Sequence, residues 1–276
     1  MPMDFSEDQI QRYARHILLP QVGGEGQAKL LNSKVLCIGA GGLGSPVLMY
    51  LAAAGVGTLG IIDDDSVDLS NLQRQIVHTT ERVGVAKVES AAVALRAINP
   101  DINLALHRER ISIDNAQDLI SQYDLVTDGS DNFATRFLVN DAAYFAHKPL
   151  VSGAILRFDG QVATFKNFPG GDADGPCYRC IFREPPPPGQ IPSCSEAGVL
   201  GALCGTVGSL QATEILKELL DIGESLSGSL LVYDALATQF RTIRVKRDPG
   251  CPLCGDNPTI TDLSIHADGG PENCHG

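Results

Sequence analysis

The feature that most constrains how this chain can fold is a loop of small residues, Gly39-Ala40-Gly41-Gly42-Leu43-Gly44, set between two unlike apolar runs. Before it, Val35-Leu36-Cys37-Ile38 is short and lacks polar alternation, the pattern of a strand buried on both faces. After it, residues 43–54 have helix length and small-residue content, closed by Gly55 and Gly57. Residues 58–62 read as a second strand that ends at Asp63. Strand, helix and strand in that order fold naturally into a parallel unit. The alternation continues with a helix over 87–98, a strand over 102–106, a helix over 115–121, a strand over 125–127, a helix over 134–146, and strands near 150–151 and 160–165. The expected fold class is α/β, Rossmann-like, with a largely parallel sheet, helices on both faces and a C-terminal sheet region.

The flanks are less regular. Residues 12–19 suit the end of an N-terminal helix halted by Pro20, and Gly23-Gly24-Glu25-Gly26 reads as a glycine-rich turn. Between 167 and 197 the composition shifts to Gly, Pro, Asp and Cys, which predicts an irregular, mobile crossing loop. Residues 197–210 are apolar but short of the ~20 needed to span a bilayer, and their glycines suit a closely packed buried helix. With 276 residues and 43% hydrophobic content, the chain can bury a full core, so one domain over 1–255 is expected, with 256–276 a disordered tail. A formal net charge of −12 opposes non-specific nucleic-acid binding, so any bound anion needs a local basic pocket. The N-terminal residues lack a basic segment followed by an apolar stretch, which points to the cytoplasm rather than secretion, with no membrane partner.

In the glycine loop, Gly39 permits a tight turn, Gly41 lets the backbone approach phosphate, and Gly44 allows close helix–strand packing; the helix N-terminus offers unpaired N–H groups to an anion. Asp63 stands where an acid would hydrogen-bond ribose. The loop alone does not separate NAD from ATP. A bridged pyrophosphate is largely satisfied by helix N–H groups, whereas a reacting triphosphate needs cations and a metal ligand. Arg74 and Lys87 are candidate cations, Asn71 and Gln75 candidate polar contacts, and Asp128-Gly129-Ser130-Asp131-Asn132 supplies acids just beyond a strand's carboxyl end, where open α/β sheets place ligands.

The eight cysteines carry a separate signal. Cys177-Tyr178-Arg179-Cys180 and Cys251-Pro252-Leu253-Cys254 are two knuckles able to close a four-thiolate zinc site, structural because no position stays open for water. A pair of redox disulfides is the alternative. Cys37 and Cys204 read as small core residues, Cys274 as an incidental tail thiol, and Cys194 as a loop cysteine open to reaction.

Taken together, Gly39 to Gly44, Asp63-Asp64-Asp65, Ser70-Asn71-Leu72-Gln73-Arg74-Gln75, Lys87, Asp131-Asn132 and the paired cysteines resemble the MoeB/ThiF family of adenylyltransferases, relatives of ubiquitin-activating enzymes, over about residues 5–255. The resemblance implies ATP with Mg²⁺ and a structural Zn²⁺, an ATP-binding half over about 30–150, and a carrier-binding sheet, crossing loop and zinc knuckle over about 151–255. It implies that Gly42 and Asp63 hold the nucleotide, Asn71, Arg74 and Lys87 its phosphates, and Asp131 the magnesium, with Gly39, Gly41, Gly44, Asp65, Ser70, Leu72, Gln73, Gln75 and Asn132 completing the site. Arg15 matches an arginine that members insert into the neighbouring subunit's ATP site, which implies a homodimer. The implied reaction is adenylation of the C-terminal carboxylate of a ubiquitin-like sulfur-carrier protein ending in Gly-Gly. The first candidate is the small subunit of molybdopterin synthase; a thiamine or tRNA-thiolation carrier is the alternative. Cys194 aligns with a cysteine that some members use for a thioester or persulfide. No sulfurtransferase domain follows Gly255, so a separate sulfur donor protein is expected. Two readings of other classes remain: an NAD-linked oxidoreductase, which leaves Arg74, Lys87 and Asp131 without a shared task, and a non-catalytic zinc-stapled scaffold.

Overall fold

The computed structural model describes residues 5–187 and 198–267. Helix α1 (Glu7–Ile17) opens on a reciprocal cap, in which Ser6 Oγ accepts from Gln9 N and Gln9 Oε1 accepts from Ser6 N, each at 3.1 Å. The expected turn at 23–26 is instead the first turn of helix α2 (Gly23–Asn32). One of its glycines is a packing device: a Cβ on Gly26 would stand 3.1 Å from both Leu220 and Val22. Burial of Gln27 and Leu30, with Gln27 Nε2 donating to Ala54 O at 2.9 Å, outweighs the low helix propensity of the glycines.

The strands and helices that follow alternate as the apolar runs predict. In chain order they are β1 (Lys34–Ile38), α3 (Gly44–Ala54), β2 (Thr58–Ile62), α4 (Lys87–Ile98), β3 (Asn103–His107), α5 (Ala116–Ser121), β4 (Leu125–Asp128), α6 (Phe133–Phe145) and β5 (Leu150–Leu156). These five strands pair in parallel in the order β3-β2-β1-β4-β5. Three further strands, β6 (Asp159–Phe165), β7 (Ser229–Asp234) and β8 (Gln239–Arg244), extend the same sheet antiparallel, giving eight strands. Between β6 and β7 lie the single turn α7 (Tyr178–Ile181) and helix α8 (Gly201–Leu220).

Period-two alternation assigns each strand residue to a face. Val35, Cys37, Leu59 and Ile61 pack with α3, α4 and α8 on one side; Leu36, Ile38, Ile62 and Val126 pack with α5 and α6 on the other. Covering both faces explains why the strands read as unbroken apolar runs. The buried glycine-bearing helix expected near 197–210 starts at Gly201 and runs ten residues further; residue 197 lies outside the described residues. Gly208 lets α8 cross α3 closely, since a Cβ there would meet Pro46 Cγ at 2.4 Å and Leu43 O at 2.8 Å.

The expected disordered tail does not hold for residues 256–267. Ile260 and Leu263 are buried, and His266 Nε2 lies 2.8 Å from Asp141 Oδ2 on α6. The acid is shared with Arg179, whose Nε and Nη2 reach it at 2.8 and 2.6 Å, so an ion-paired centre tethers this segment to α6 and α7. Residues 268–276, including Cys274, lie outside the described residues, as do 188–197 of the crossing loop. Among the described residues, no helix is long and apolar enough to cross a membrane.

Candidate active site

Strand order reverses between β2-β1 and β4-β5, so chain direction leaves a crevice beyond the carboxyl ends of β1 and β4. The glycine loop lies at the end of β1. Gly39 takes φ 91°, the left-handed region that favours glycine, and a Cβ on Gly44 would stand 2.0 Å from Gly39 O, so neither position accepts a side chain without moving backbone. Asp63, at the end of β2, binds this loop: its Oδ2 accepts from Ala40 N at 2.7 Å and its Oδ1 from Asp65 N at 2.9 Å. Burial pushes the Asp63 carboxyl above the ordinary carboxylate range, and Lys87 and the two N–H bonds oppose that push.

A polar cavity of about 280 Å³ opens here, and Gly39, Gly41, Gly42, Asp63, Asp65, Arg74, Gln75, Lys87, Asp131 and Asn132 all line it. Ser70, Asn71, Leu72 and Gln73, also expected at the site, are not among the residues that line this cavity. Ser70 and Leu72 belong to a short 3-10 turn capped by Asp68, whose Oδ1 accepts from Ser70 N at 2.8 Å. Asn71 Oδ1 accepts from Arg74 Nη2 at 2.8 Å, which holds the guanidinium toward the loop. Gln73 O lies against Gly201 at the start of α8. Arg15 is exposed on α1 and is not among the cavity residues of its own chain.

The cations are held rather than loose. Lys87, at the first position of α4 and 5% exposed, is paired with Asp65 Oδ2 at 2.7 Å. Gln75 is 4% exposed, and its Oε1 has no hydrogen-bond partner although it borders the cavity. Ser130, which also lines the cavity, has a likewise buried and unpartnered Oγ. Unmatched buried polar atoms are costly, and these two belong to residues that line one polar cavity, although the atoms themselves are closed off from it. Asp131 is exposed at the rim, whereas Asn132 spends its side chain capping α6, accepting from Thr135 N at 2.8 Å. Among the described residues, the carboxylates close enough to share a metal here are Asp63, Asp64 and Asp65.

A second, more apolar cavity of about 500 Å³ lies over β5, β6 and β7, lined by Ala154, Leu156, Phe165, Tyr178, Leu230 and Val232 among others. It meets the first at Asp131, Arg136 and Ile155, which line both. Arg136 was not reached from the sequence. It stands four residues after the cap Asn132, on the first turn of α6, is 8% exposed, and donates from Nη2 to Ser130 O. The signal was available in the periodicity of α6: a cation one turn from the cap shares the cap's end of the helix.

At the opposite end of α6, Cys177, Cys180, Cys251 and Cys254 converge. Their Sγ atoms lie 3.8 Å apart for 177–180, 3.6 Å for 177–251, and 3.4 Å for both 180–254 and 177–254. A tetrahedral zinc with ~2.3 Å bonds has sulfur–sulfur edges of about 3.8 Å, so the cluster fits that ion. Asp248 N donates to Cys180 Sγ at 3.4 Å, an outer-shell bond of the kind that orients a thiolate. Cys194 lies outside the described residues.

Comparison with known proteins agrees with this geometry. Residues 13–253 match the ThiF family. The chain is 52% identical over 261 residues to the sulfur carrier protein adenylyltransferase of Thermus thermophilus, covering 95% of this chain and 96% of that protein. It is 49% identical over 256 residues to the SAMP-activating enzyme E1 of Haloferax volcanii, covering 93% of each. It is 54% identical over 248 residues to the probable adenylyltransferase/sulfurtransferase MoeZ of Mycobacterium tuberculosis, covering 90% of this chain and 63% of that protein. Among solved structures, E. coli MccB superposes with a TM-score of 0.77 at 19% identity, over 99% of this chain and 76% of that one, a likeness of fold. The oxidoreductase reading of the glycine loop falls with these matches: the chain belongs to the ThiF family and is an adenylyltransferase.

Proposed function

We propose that this adenylyltransferase activates the C-terminal glycine carboxylate of a ubiquitin-like sulfur carrier with Mg·ATP. The observation that carries the reading is the junction of two unlike cavities at Asp131, Arg136 and Ile155. The polar cavity, with its glycine loop, Arg74 and Lys87, suits a nucleotide. The apolar one suits an extended peptide whose terminal carboxylate ends at the junction.

There the carboxylate oxygen attacks the α-phosphorus, the bond to the bridging oxygen breaks, and pyrophosphate leaves with that electron pair. No proton moves and no protein nucleophile is needed. Two anions must meet, so positioning and charge neutralisation carry the catalysis. Arg136 serves the incoming carboxylate; Arg74 and Lys87 serve the phosphates, Lys87 being shared with Asp65. Magnesium, bound with the nucleotide, would lower the charge of the phosphates, with Asp131 and the nearby Asp63–Asp65 cluster as its candidate holders. Asp131 is exposed, so Asp131→Ala leaves the fold intact and abolishes carrier-dependent ATP–pyrophosphate exchange; exchange at the wild-type rate would refute its role.

The small subunit of molybdopterin synthase is the first candidate carrier, with thiamine and tRNA-thiolation carriers as alternatives, and comparative exchange with each ranks them. Sulfur then comes from a separate donor protein, and Cys194 is a candidate for a thioester or persulfide step; a Cys194→Ser variant with undiminished sulfur transfer would remove it. Arg15, exposed and absent from its own cavity, acts in a partner's site within a homodimer. Inactive Arg15→Ala and Asp131→Ala chains, mixed equally, then recover about a quarter of wild-type exchange, since half the dimers are mixed and each holds one intact site. No recovery on subunit exchange contradicts the arrangement.

A further inference from the structure

Ala40 is the first non-glycine residue of the loop, and both of its backbone polar groups are gripped. Its N–H is taken by Asp63 at 2.7 Å; its carbonyl faces His78 Nε2 at 2.9 Å. The other ring nitrogen, Nδ1, faces Ser90 Oγ at 2.8 Å. A carbonyl only accepts, so Nε2 carries the proton, and Nδ1 of the neutral ring accepts from the Ser90 hydroxyl. His78 and Ser90 are both buried, at 5% and 0% exposure. Burial, with Lys87 and Arg82 as neighbouring cations, holds the His78 ring at about 4, which fits the neutral form these contacts require.

The consequence follows from the peptide unit. It is planar and trans, so its C=O and N–H point in opposite directions. His78 draws the Ala40 carbonyl into the protein, and the N–H of the same unit, which belongs to Gly41, is thereby turned toward the cavity that Gly41 lines. The far anchor is Ser90, on the helix whose first residue is Lys87. The grip therefore ties the loop's anion donor to the helix that carries a phosphate-facing cation.

We propose that His78 is a positioning residue of the nucleotide site, aiming the Gly41 N–H through the Ala40 carbonyl; this rests on the reading of the polar cavity as the ATP site. Glutamine places an amide N–H where Nε2 stands, whereas asparagine reaches only the Nδ1 position, so the two variants separate aim from mere filling.

The test is Mg·ATP affinity by calorimetry, with kcat and KM from exchange, on wild type, His78→Asn, His78→Gln and Ser90→Ala. His78→Asn is expected to weaken Mg·ATP binding about tenfold, the loss of roughly one buried hydrogen bond, and to raise KM for ATP more than it lowers kcat. His78→Gln restores most of the affinity, and Ser90→Ala, benign in a helix, shows an intermediate loss. Equal affinity in His78→Asn and wild type, or equal losses in the Asn and Gln variants, overturns the proposal while leaving the ATP site standing. Wild-type protein without Mg·ATP affinity overturns both.

Discussion

Arg136 shows how a single side chain can join two sites. It is nearly buried, donates to Ser130 O, and borders both the polar and the apolar cavity. In a site of reduced dielectric, a positioned donor aimed at developing charge is worth far more than in water. Arg136→Ala is therefore expected to lower carrier-dependent kcat by about 100- to 1000-fold while Mg·ATP affinity changes little. Arg136→Lys recovers part of the loss by keeping the charge without the fork. Equal weakening of ATP binding and turnover would assign Arg136 to the nucleotide alone. In the sequence Arg136 carries a fainter mark than Asp131-Asn132, because its only signal is a spacing of four residues from the cap of α6. The structure gives Asn132 a capping bond to Thr135 N instead, and the residue one turn on becomes the junction cation. By contrast, the glycine loop, Asp63, Gln75 and Lys87 were legible because phosphate-type sites require particular residue types at short spacing from a strand end.

Among the elements, the parallel strands and their helices were legible because burial on both faces leaves an unbroken apolar run, which few other arrangements produce. Two elements were obscured. Helix α2 begins with glycines that read as a turn, and one of them, Gly26, packs against Leu220, a residue almost two hundred positions later. The segment 256–267 has little hydrophobic pattern of its own; it is held by the contact of His266 with Asp141 and by two buried aliphatic side chains, Ile260 and Leu263, long-range contacts that local composition does not carry. The cysteine knuckles were legible from spacing, and they join the turn α7 to the chain that follows β8. Because the four thiolates would otherwise be buried together without an ion, zinc is expected at close to one per chain, and its removal by a strong chelator lowers the thermal midpoint by more than about 5 °C. Metal-free protein with an unchanged midpoint would leave the cluster without that role.

For the whole molecule, one continuous sheet serves two tasks. Its parallel half ends in the crevice that holds the glycine loop, and its antiparallel half carries the apolar cavity, so β4 and β5 lie where the two meet. A net charge of −12 leaves a polyanion dependent on local cations, and the buried cations Lys87 and Arg136 stand in the walls of the polar cavity beside its carboxylates. The most direct test incubates the protein with Mg·ATP and a recombinant carrier ending in Gly-Gly, then weighs the carrier by intact-mass spectrometry under conditions that preserve acyl-adenylates. The account predicts a carrier heavier by one adenylyl group with release of pyrophosphate, and no change for the same carrier with its terminal carboxylate amidated. Adenylation of the amidated carrier, or of no Gly-Gly carrier while Mg·ATP binds normally, would contradict it.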